Sequence, residues 1–152
     1  CVAPDGTVSV AARDLHFPNG SVITPDGKTL IVAETLGGAL TAFTIEQDGT
    51  LSSRRLWAPT WPHVPDGICL DAEGAIWVSA ALAPLCLRIA EGGEVLETVE
   101  TSQPCIACML GGEDRRTLFL LTAPDPDSEK RTALREGRLE IARVSVPGSG
   151  LP

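Results

Sequence analysis

The 152-residue sequence is acidic, because 12 Lys and Arg residues against 20 Asp and Glu residues give a formal net charge of −8. Nucleic acids and anionic lipid surfaces are bound by clustered positive charge, so this balance argues against both kinds of partner. The chain is 43% hydrophobic and 21% charged, as in an ordinary soluble globular protein. No apolar run approaches the roughly 20 residues of a membrane-spanning helix.

Short apolar runs separated by turn residues predict an all-β protein, in line with 15 Gly and 12 Pro residues. In chain order, the predicted strands cover residues 8–10, 21–23, 29–33, 39–45, 51–57, 68–70, 75–80, 85–89, 95–99, 106–109, 117–121 and 138–146. The charged segment 125–136 is predicted to be an exposed loop with at most a short helix.

The order of strands and turns repeats along the chain. The motif H-x-P-[N/D]-G occurs twice, and its polar residues Asn19 and Asp66 lie 47 residues apart. Each of them precedes a turn glycine, Gly27 or Gly74, by eight residues. A third unit keeps the apolar run and the turn but has Ile106 at the matching position. Units of 40 to 50 residues with four short strands are typical of β-propeller blades.

The repeat divides the chain into three predicted blades, at residues 18–58, 65–100 and 105–148, with residues 1–15 as the end of a preceding blade. Closed propellers have about four to eight blades, so three and a fraction cannot close a ring. We therefore expect about half of the full protein to precede Cys1, which is not a Met. Association of two copies into a ring of about six blades is the alternative.

Equivalent positions in successive blades converge at one mouth of a propeller channel, which brings Asn19 and Asp66 into consideration as metal ligands. An amide oxygen and a carboxylate are hard donors suited to Ca²⁺, Mg²⁺ or Mn²⁺. Asn-Gly and Asp-Gly also occur as simple turns, but their repetition in register favours the metal site.

Several stretches of this sequence resemble the SMP-30/gluconolactonase/LRE-like family. They are FPNG at 17–20, TPDGKTL at 24–30, AET at 33–35, GTLSSRR at 49–55, PDGICLDAEGAIWV at 65–78 and, more weakly, CMLGG at 108–112. The resemblance implies the C-terminal half of a six-bladed propeller with one divalent cation at the top of its channel. It implies Asn19 as a metal ligand and Asp66 as both metal ligand and catalytic base.

The same resemblance implies a hydrolase of a lactone or related small ester, with a lactone or sugar acid as the small-molecule partner. The implied cofactor is one divalent cation, Ca²⁺ first, with Mg²⁺, Mn²⁺ or Zn²⁺ as alternatives. The family's third ligand, a Glu, and its substrate-binding Arg and Asn have no counterpart here, so no substrate-binding residue is assigned and this chain alone is not expected to be a competent enzyme. A non-catalytic propeller that binds calcium or a metabolite is the alternative.

Other reactive side chains receive structural interpretations. Five scattered cysteines favour a reduced, cytoplasmic setting, and the CxxC pair Cys105 and Cys108 is interpreted as apolar strand residues. His16 and His63 are expected to be loop residues without catalytic duty. Glu34 is either a partner that orients the ligands or a solvated strand end, and the Arg54-Arg55 pair is expected to be solvated.

Overall fold

The computed structural model describes residues 1–124 and 135–149, and within them eleven strands form three antiparallel sheets. We call the sheets the first, second and third blade. Their strands are β1 (Pro18–Ile23), β2 (Thr29–Glu34), β3 (Ala39–Ile45) and β4 (Leu51–Pro59), then β5 (Pro65–Leu70), β6 (Ile76–Ala80), β7 (Leu85–Ile89) and β8 (Val95–Glu100), and finally β9 (Cys105–Gly111), β10 (Thr117–Thr122) and β11 (Arg138–Arg143).

Within each blade, strands that follow each other along the chain are also neighbours in the sheet. The prediction of an all-β fold built from repeated meandering blades is confirmed. The hairpin between β1 and β2 and the one between β5 and β6 turn at Gly27 and Gly74, whose φ angles are 72° and 82°. Only glycine adopts this left-handed conformation without a steric penalty, which explains why the turn glycines recur in the same register.

The blades pack face to face. In β6, successive side chains point to opposite faces of the sheet and so pack against the two neighbouring blades in turn. Ile76 and Val78 belong to the apolar cluster shared with the first blade, whereas Trp77 belongs to the cluster shared with the third blade. All five residues of β6 are buried. Strand β5 divides in the same way, with Ile68 facing the first blade and Cys69 facing the third. The core therefore consists of two layers between successive blades.

One predicted strand is absent and several others differ at their ends; β1 and β5 each begin three residues before the predicted strands at 21–23 and 68–70. Residues 8–10 form no strand, because Val8 makes only an isolated bridge to Val2 and both side chains stay exposed. The final strand ends at Arg143 rather than at residue 146. The predicted loop at 125–136 lies outside the described residues except for its last two. Within 1–124 and 135–149, no helix is long and apolar enough to cross a membrane.

Candidate functional site

The innermost strands β1 and β5 touch where each begins, which places Asn19 next to the backbone of Asp66. A Cβ atom added at Gly20 would lie only 2.6 Å from the carbonyl oxygen of Asp66 and 2.6 Å from the amide nitrogen of Ile68. No real side chain tolerates such contacts, so glycine at this position permits the close approach of the two strands. The two predicted ligands thus begin adjacent inner strands at one end of the stack, which we call the mouth.

The third blade meets the second in the same way. A Cβ atom added at Gly67 would lie 2.7 Å from the Cα of Ala107 and 3.1 Å from the carbonyl oxygen of Ile106. Ile106 therefore stands next to Asp66 as Asp66 stands next to Asn19. Because its side chain offers no donor, the third blade continues the mouth without a metal ligand at this position.

The donors at the mouth are of the hard oxygen type. Asn19 is exposed, and its Nδ2 donates a hydrogen bond to Oγ1 of Thr35 at 3.3 Å, which leaves the amide oxygen to accept. Asp66 is half-buried. An amide oxygen and a carboxylate fit a hard divalent cation in their chemistry, but Ca²⁺ takes six to eight oxygen ligands. Among the described residues, no group of three or more His, Cys, Asp and Glu side chains is arranged to hold a metal ion.

Glu34 ends β2 beside the mouth and is 4% exposed. Its carboxylate accepts hydrogen bonds from the Thr41 hydroxyl and from the His16 amide, the latter at 2.6 Å, and it pairs with Arg54 at 3.1 Å. Burial by itself raises the pKa of Glu34, but the bonds from Thr41 and His16 and the Arg54 charge outweigh it, so the pKa is lowered. Glu34 is therefore a buried, fully bonded carboxylate rather than a solvated strand end.

Arg54 completes this network: its side chain is exposed, as expected, but it also makes hydrogen bonds that the sequence did not indicate. Its guanidinium donates to the carbonyl oxygens of Arg13 and Asp14, at 3.2 and 2.9 Å, and lies 6.0 Å from the centre of the Phe43 ring. Together with Glu34 it attaches the segment before β1 to the first blade. Sequence reasoning missed this contact because the partners lie 20 to 41 residues apart and no motif connects them.

The two histidines lie near the mouth and contribute backbone contacts. His16 is exposed, and besides its amide bond to Glu34 its carbonyl oxygen accepts from Leu36 at 3.2 Å. His63 is half-buried, and its amide and carbonyl both bond to Thr60, at 2.8 and 3.0 Å. These contacts shape the loops that enter β1 and β5.

The CxxC pair lies on strand β9 rather than at the start of a helix. Cys105 and Cys108 are buried in the apolar cluster between the second and third blades. Cys69 and Cys86 belong to the same cluster, and the described cysteines carry free thiols. The structure thus gathers four thiols in one core layer, which the sequence did not reveal because they come from three strands.

Solved structures with the same architecture are about twice as long as this chain. The calcium-binding protein regucalcin of Agrobacterium tumefaciens superposes with a TM-score of 0.78 at 21% identity, over 97% of this chain and 52% of its own. A gluconolactonase of Xanthomonas campestris superposes with a TM-score of 0.67 at 32% identity, over 80% of this chain and 40% of its own. The three blades therefore match about half of a six-bladed propeller.

Sequence comparison leads to the same proteins. The 6-deoxy-6-sulfogluconolactonase of Pseudomonas putida is 29% identical over 150 residues, which are 94% of this chain and 51% of that enzyme. The chain spans about half the length of the curated relatives that it matches. The family model for the SMP-30/gluconolactonase/LRE-like region matches residues 1–124. The chain belongs to the SMP-30/gluconolactonase/LRE-like family.

Proposed function

We propose that this chain is part of a divalent-metal-dependent hydrolase of a lactone or related small ester. The observation that carries the proposal is the contact between β1 and β5, which sets Asn19 and Asp66 side by side at the mouth. Similar proteins that are named as a gluconolactonase and a sulfogluconolactonase support this reaction class.

Asn19 and Asp66 would hold the cation through the Asn19 amide oxygen and the Asp66 carboxylate. Ca²⁺ suits these donors best, with Mg²⁺, Mn²⁺ and Zn²⁺ as alternatives. When bound, the cation supplies a positive charge that polarises the lactone carbonyl. Further ligands would come from water or from residues outside the two that this chain provides, because two protein ligands hold a hard cation weakly.

In this proposal Asp66 acts as the general base. Its carboxylate takes a proton from the water that attacks the carbonyl carbon, after which the ring carbon–oxygen bond breaks and the hydroxy acid leaves. Thr35 accepts a hydrogen bond from the Asn19 Nδ2, which leaves the amide oxygen of Asn19 to bind the cation. Glu34 is a positioning residue, because it fixes the loop before β1 through His16 and does not itself offer a free carboxylate.

The decisive experiment is the substitution Asp66→Asn in the protein expressed with all of its natural flanking sequence. We expect gluconolactone hydrolysis to fall by at least about 10²-fold, the usual scale of general-base catalysis. Acid release is followed at constant pH with Ca²⁺, Mg²⁺, Mn²⁺ and Zn²⁺ in turn. Cation binding is measured by calorimetry on the same samples.

Asp26→Asn is the matched control, because Asp26 is an exposed carboxylate of the β1–β2 turn, at the opposite end of β1 from the mouth. It should leave hydrolysis unchanged. Full hydrolysis by the Asp66 variant with its cation still bound would overturn the assignment of the base.

A calcium-binding propeller without catalysis is the second candidate, favoured by the likeness to a structure described as a calcium-binding protein, regucalcin. It predicts saturable Ca²⁺ binding that needs Asp66, together with no lactone hydrolysis under any of the four cations. The same two measurements therefore separate the two functions.

A further inference from the structure

Four thiols from two blades converge in the layer behind the mouth. Cys69 lies on β5 of the second blade, Cys86 on β7 of the same blade, and Cys105 and Cys108 on β9 of the third blade. Each of them is buried. Their convergence follows from strand alternation, since Cys69 points away from the side on which Ile68 contacts the first blade.

Within this cluster, two thiols from different blades are in contact. Cys69 donates its thiol hydrogen to Cys108, and the two sulfur atoms are 3.8 Å apart. Cys108 is also within 3.5 Å of the Trp77 carbonyl oxygen and 3.7 Å of that of Gly67. A disulfide has sulfurs about 2.05 Å apart, so a movement of less than 2 Å shared between two side chains would close the bond.

The chemistry of the pair suits oxidation. The hydrogen bond from Cys69, followed by one from Cys86, lowers the pKa of the Cys108 thiol. The same contact with Cys108, together with burial, raises the pKa of Cys69. The contact between the two sulfurs thus shifts the pKa values of the two thiols in opposite directions, and a thiolate is the form that reacts with a peroxide.

The cluster is also within reach of a small molecule. Cys69 lines a cavity of about 400 Å³ whose walls include Val22 of β1 and Leu110 of β9. Cys69 and Cys108 are buried but keep 4% and 5% of their surface exposed. A hydroperoxide is small enough to enter such a cavity and approach the Cys69 thiol.

We propose that Cys69 and Cys108 form a reversible disulfide that links the inner strands of the second and third blades when the protein meets a hydroperoxide. One sulfur takes an oxygen from hydrogen peroxide as the O–O bond breaks and water leaves. The second thiol displaces the resulting hydroxyl as another water, and the S–S bond forms. Two electrons pass from the thiols to the peroxide, and two waters are released.

The test uses the Cys1→Ser form of the protein with its natural flanking sequence, because the exposed Cys1 thiol would otherwise react between molecules. The folded protein is treated with hydrogen peroxide, unfolded with a blocking reagent present, and its free thiols are counted. We expect the loss of two thiols, the mass loss of two hydrogen atoms, and restoration of both by dithiothreitol.

Single alanine variants identify the pair. Peptide mapping alone cannot do so, because trypsin cleavage at Arg55, Arg88 and Arg115 leaves Cys69 and Cys86 in one peptide and Cys105 and Cys108 in the next. Cys69→Ala and Cys108→Ala should abolish the thiol loss, whereas Cys86→Ala and Cys105→Ala should retain it. Oxidation should also raise the melting temperature of the Cys1→Ser protein and of both retaining variants, because the bond crosslinks residues 39 positions apart.

Two outcomes overturn the proposal. One is that no thiol is lost from the folded Cys1→Ser protein at peroxide concentrations that oxidise its unfolded form. The other is that the loss persists in Cys108→Ala, which would assign the bond to another pair. Near-ultraviolet circular dichroism of each variant shows that it is folded before oxidation, and the melting shift in the retaining variants checks the result independently.

Discussion

The second blade is enclosed on both faces, whereas among residues 1–124 and 135–149 the third blade is covered on the face that meets the second blade. Every residue of β6 is buried, because it alternates between the two neighbouring blades. In the third blade, Cys108 and Leu110 of β9 are buried against the second blade, but Met109 between them is exposed. Leu139 and Ile141 of β11 are also exposed. Burial in this fold thus depends on the presence of an adjacent blade more than on the apolar character of a strand.

The first blade shows a third arrangement, in which a polar network supports the face away from the second blade. Arg54 attaches the segment that contains Arg13 and Asp14 to β4. The Glu34 carboxylate accepts hydrogen bonds from the Arg54 guanidinium and from the His16 amide. Phe43, under the Arg54 guanidinium, is buried as a result. Charged groups here cover part of a blade face that a neighbouring sheet covers elsewhere.

The dependence of burial on an adjacent blade is tested most directly by truncating the same residue type at a buried and at an exposed position. Ile76 of β6 is fully buried, whereas Ile141 of β11 is 67% exposed. We expect Ile76→Ala to lower the free energy of unfolding by about 2 to 5 kcal/mol, because it leaves a cavity between two blades. Ile141→Ala should change it by less than about 0.5 kcal/mol. Urea unfolding of both variants measures the difference.

Equal losses of unfolding free energy in Ile76→Ala and Ile141→Ala would contradict the difference in burial between the second and third blades. A cost at Ile141 as large as that at Ile76 would mean that another surface packs against the third blade in the folded protein. Leu139→Ala, on the same face of β11, would then show whether that surface extends along the strand, with a similar cost, or contacts Ile141 alone, with no cost.

The sequence predicted the blades well, because their signals are local. Alternating apolar residues define each strand, and the Gly27 and Gly74 turns repeat at fixed spacing, so the position of each sheet could be worked out from its own residues. The adjacency of Asn19 and Asp66 followed from the same register. The strand predicted at 8–10 was wrong because alternation alone does not supply a neighbouring strand with which to pair.

Side-chain contacts between strands that are distant in the sequence could not be predicted from the local sequence pattern. The pairing of Glu34 with Arg54 joins β2 to β4 across β3, and the thiol cluster joins three strands from two blades. Both need the packing of side chains on a completed sheet. The metal role of Asn19 and Asp66, predicted from the repeat and the resemblance, and the base role of Asp66, predicted from the resemblance, stay predictions, since the structure shows where the two residues lie and not what they bind.

A second comparison sets the buried ion pair within the second blade against an exposed pair that joins the first blade to the second. Arg88 is buried and donates to Asp71 at 2.6 Å and to Glu73 at 2.7 Å, and Asp71 is almost completely buried. We expect Arg88→Met to lower the free energy of unfolding by about 3 kcal/mol, because it leaves the Asp71 carboxylate uncompensated inside the protein.

Arg55→Met is the matched control, since Arg55 pairs with Glu91 and both side chains are about half exposed. Exposed pairs contribute about 1 kcal/mol or less. If the Arg88 and Arg55 variants unfold at the same urea concentration, the enclosed position of the second blade gives its ion pair no special importance. Adding Asp71→Asn to Arg88→Met should recover part of the loss by removing the stranded charge.

The smallest expected effect concerns the polar cover of the first blade and appears in the pH dependence of stability. The pKa of Glu34 is lowered in the folded protein, so its contribution is fully present above the unfolded-state value of 4.5 and is lost as the pH falls through the lower folded-state value. Glu34→Gln removes bonds between a charged group and its donors, which we expect to cost about 1.5 to 3 kcal/mol near pH 7.

The cost of Glu34→Gln should then shrink as the pH drops below about 4.5, because protonation weakens the same contacts in the unchanged protein. Urea unfolding of both proteins between pH 7 and pH 3 measures this convergence, and other carboxylates cancel in the difference. Asp48→Asn, in the exposed β3–β4 turn, is the comparison for a carboxylate whose pKa is lowered only by its own turn contacts with Thr50. A constant difference between the Glu34 variant and the unchanged protein at every pH would show that the carboxylate charge does not support the first blade, and that packing by residues 13–16 alone covers it.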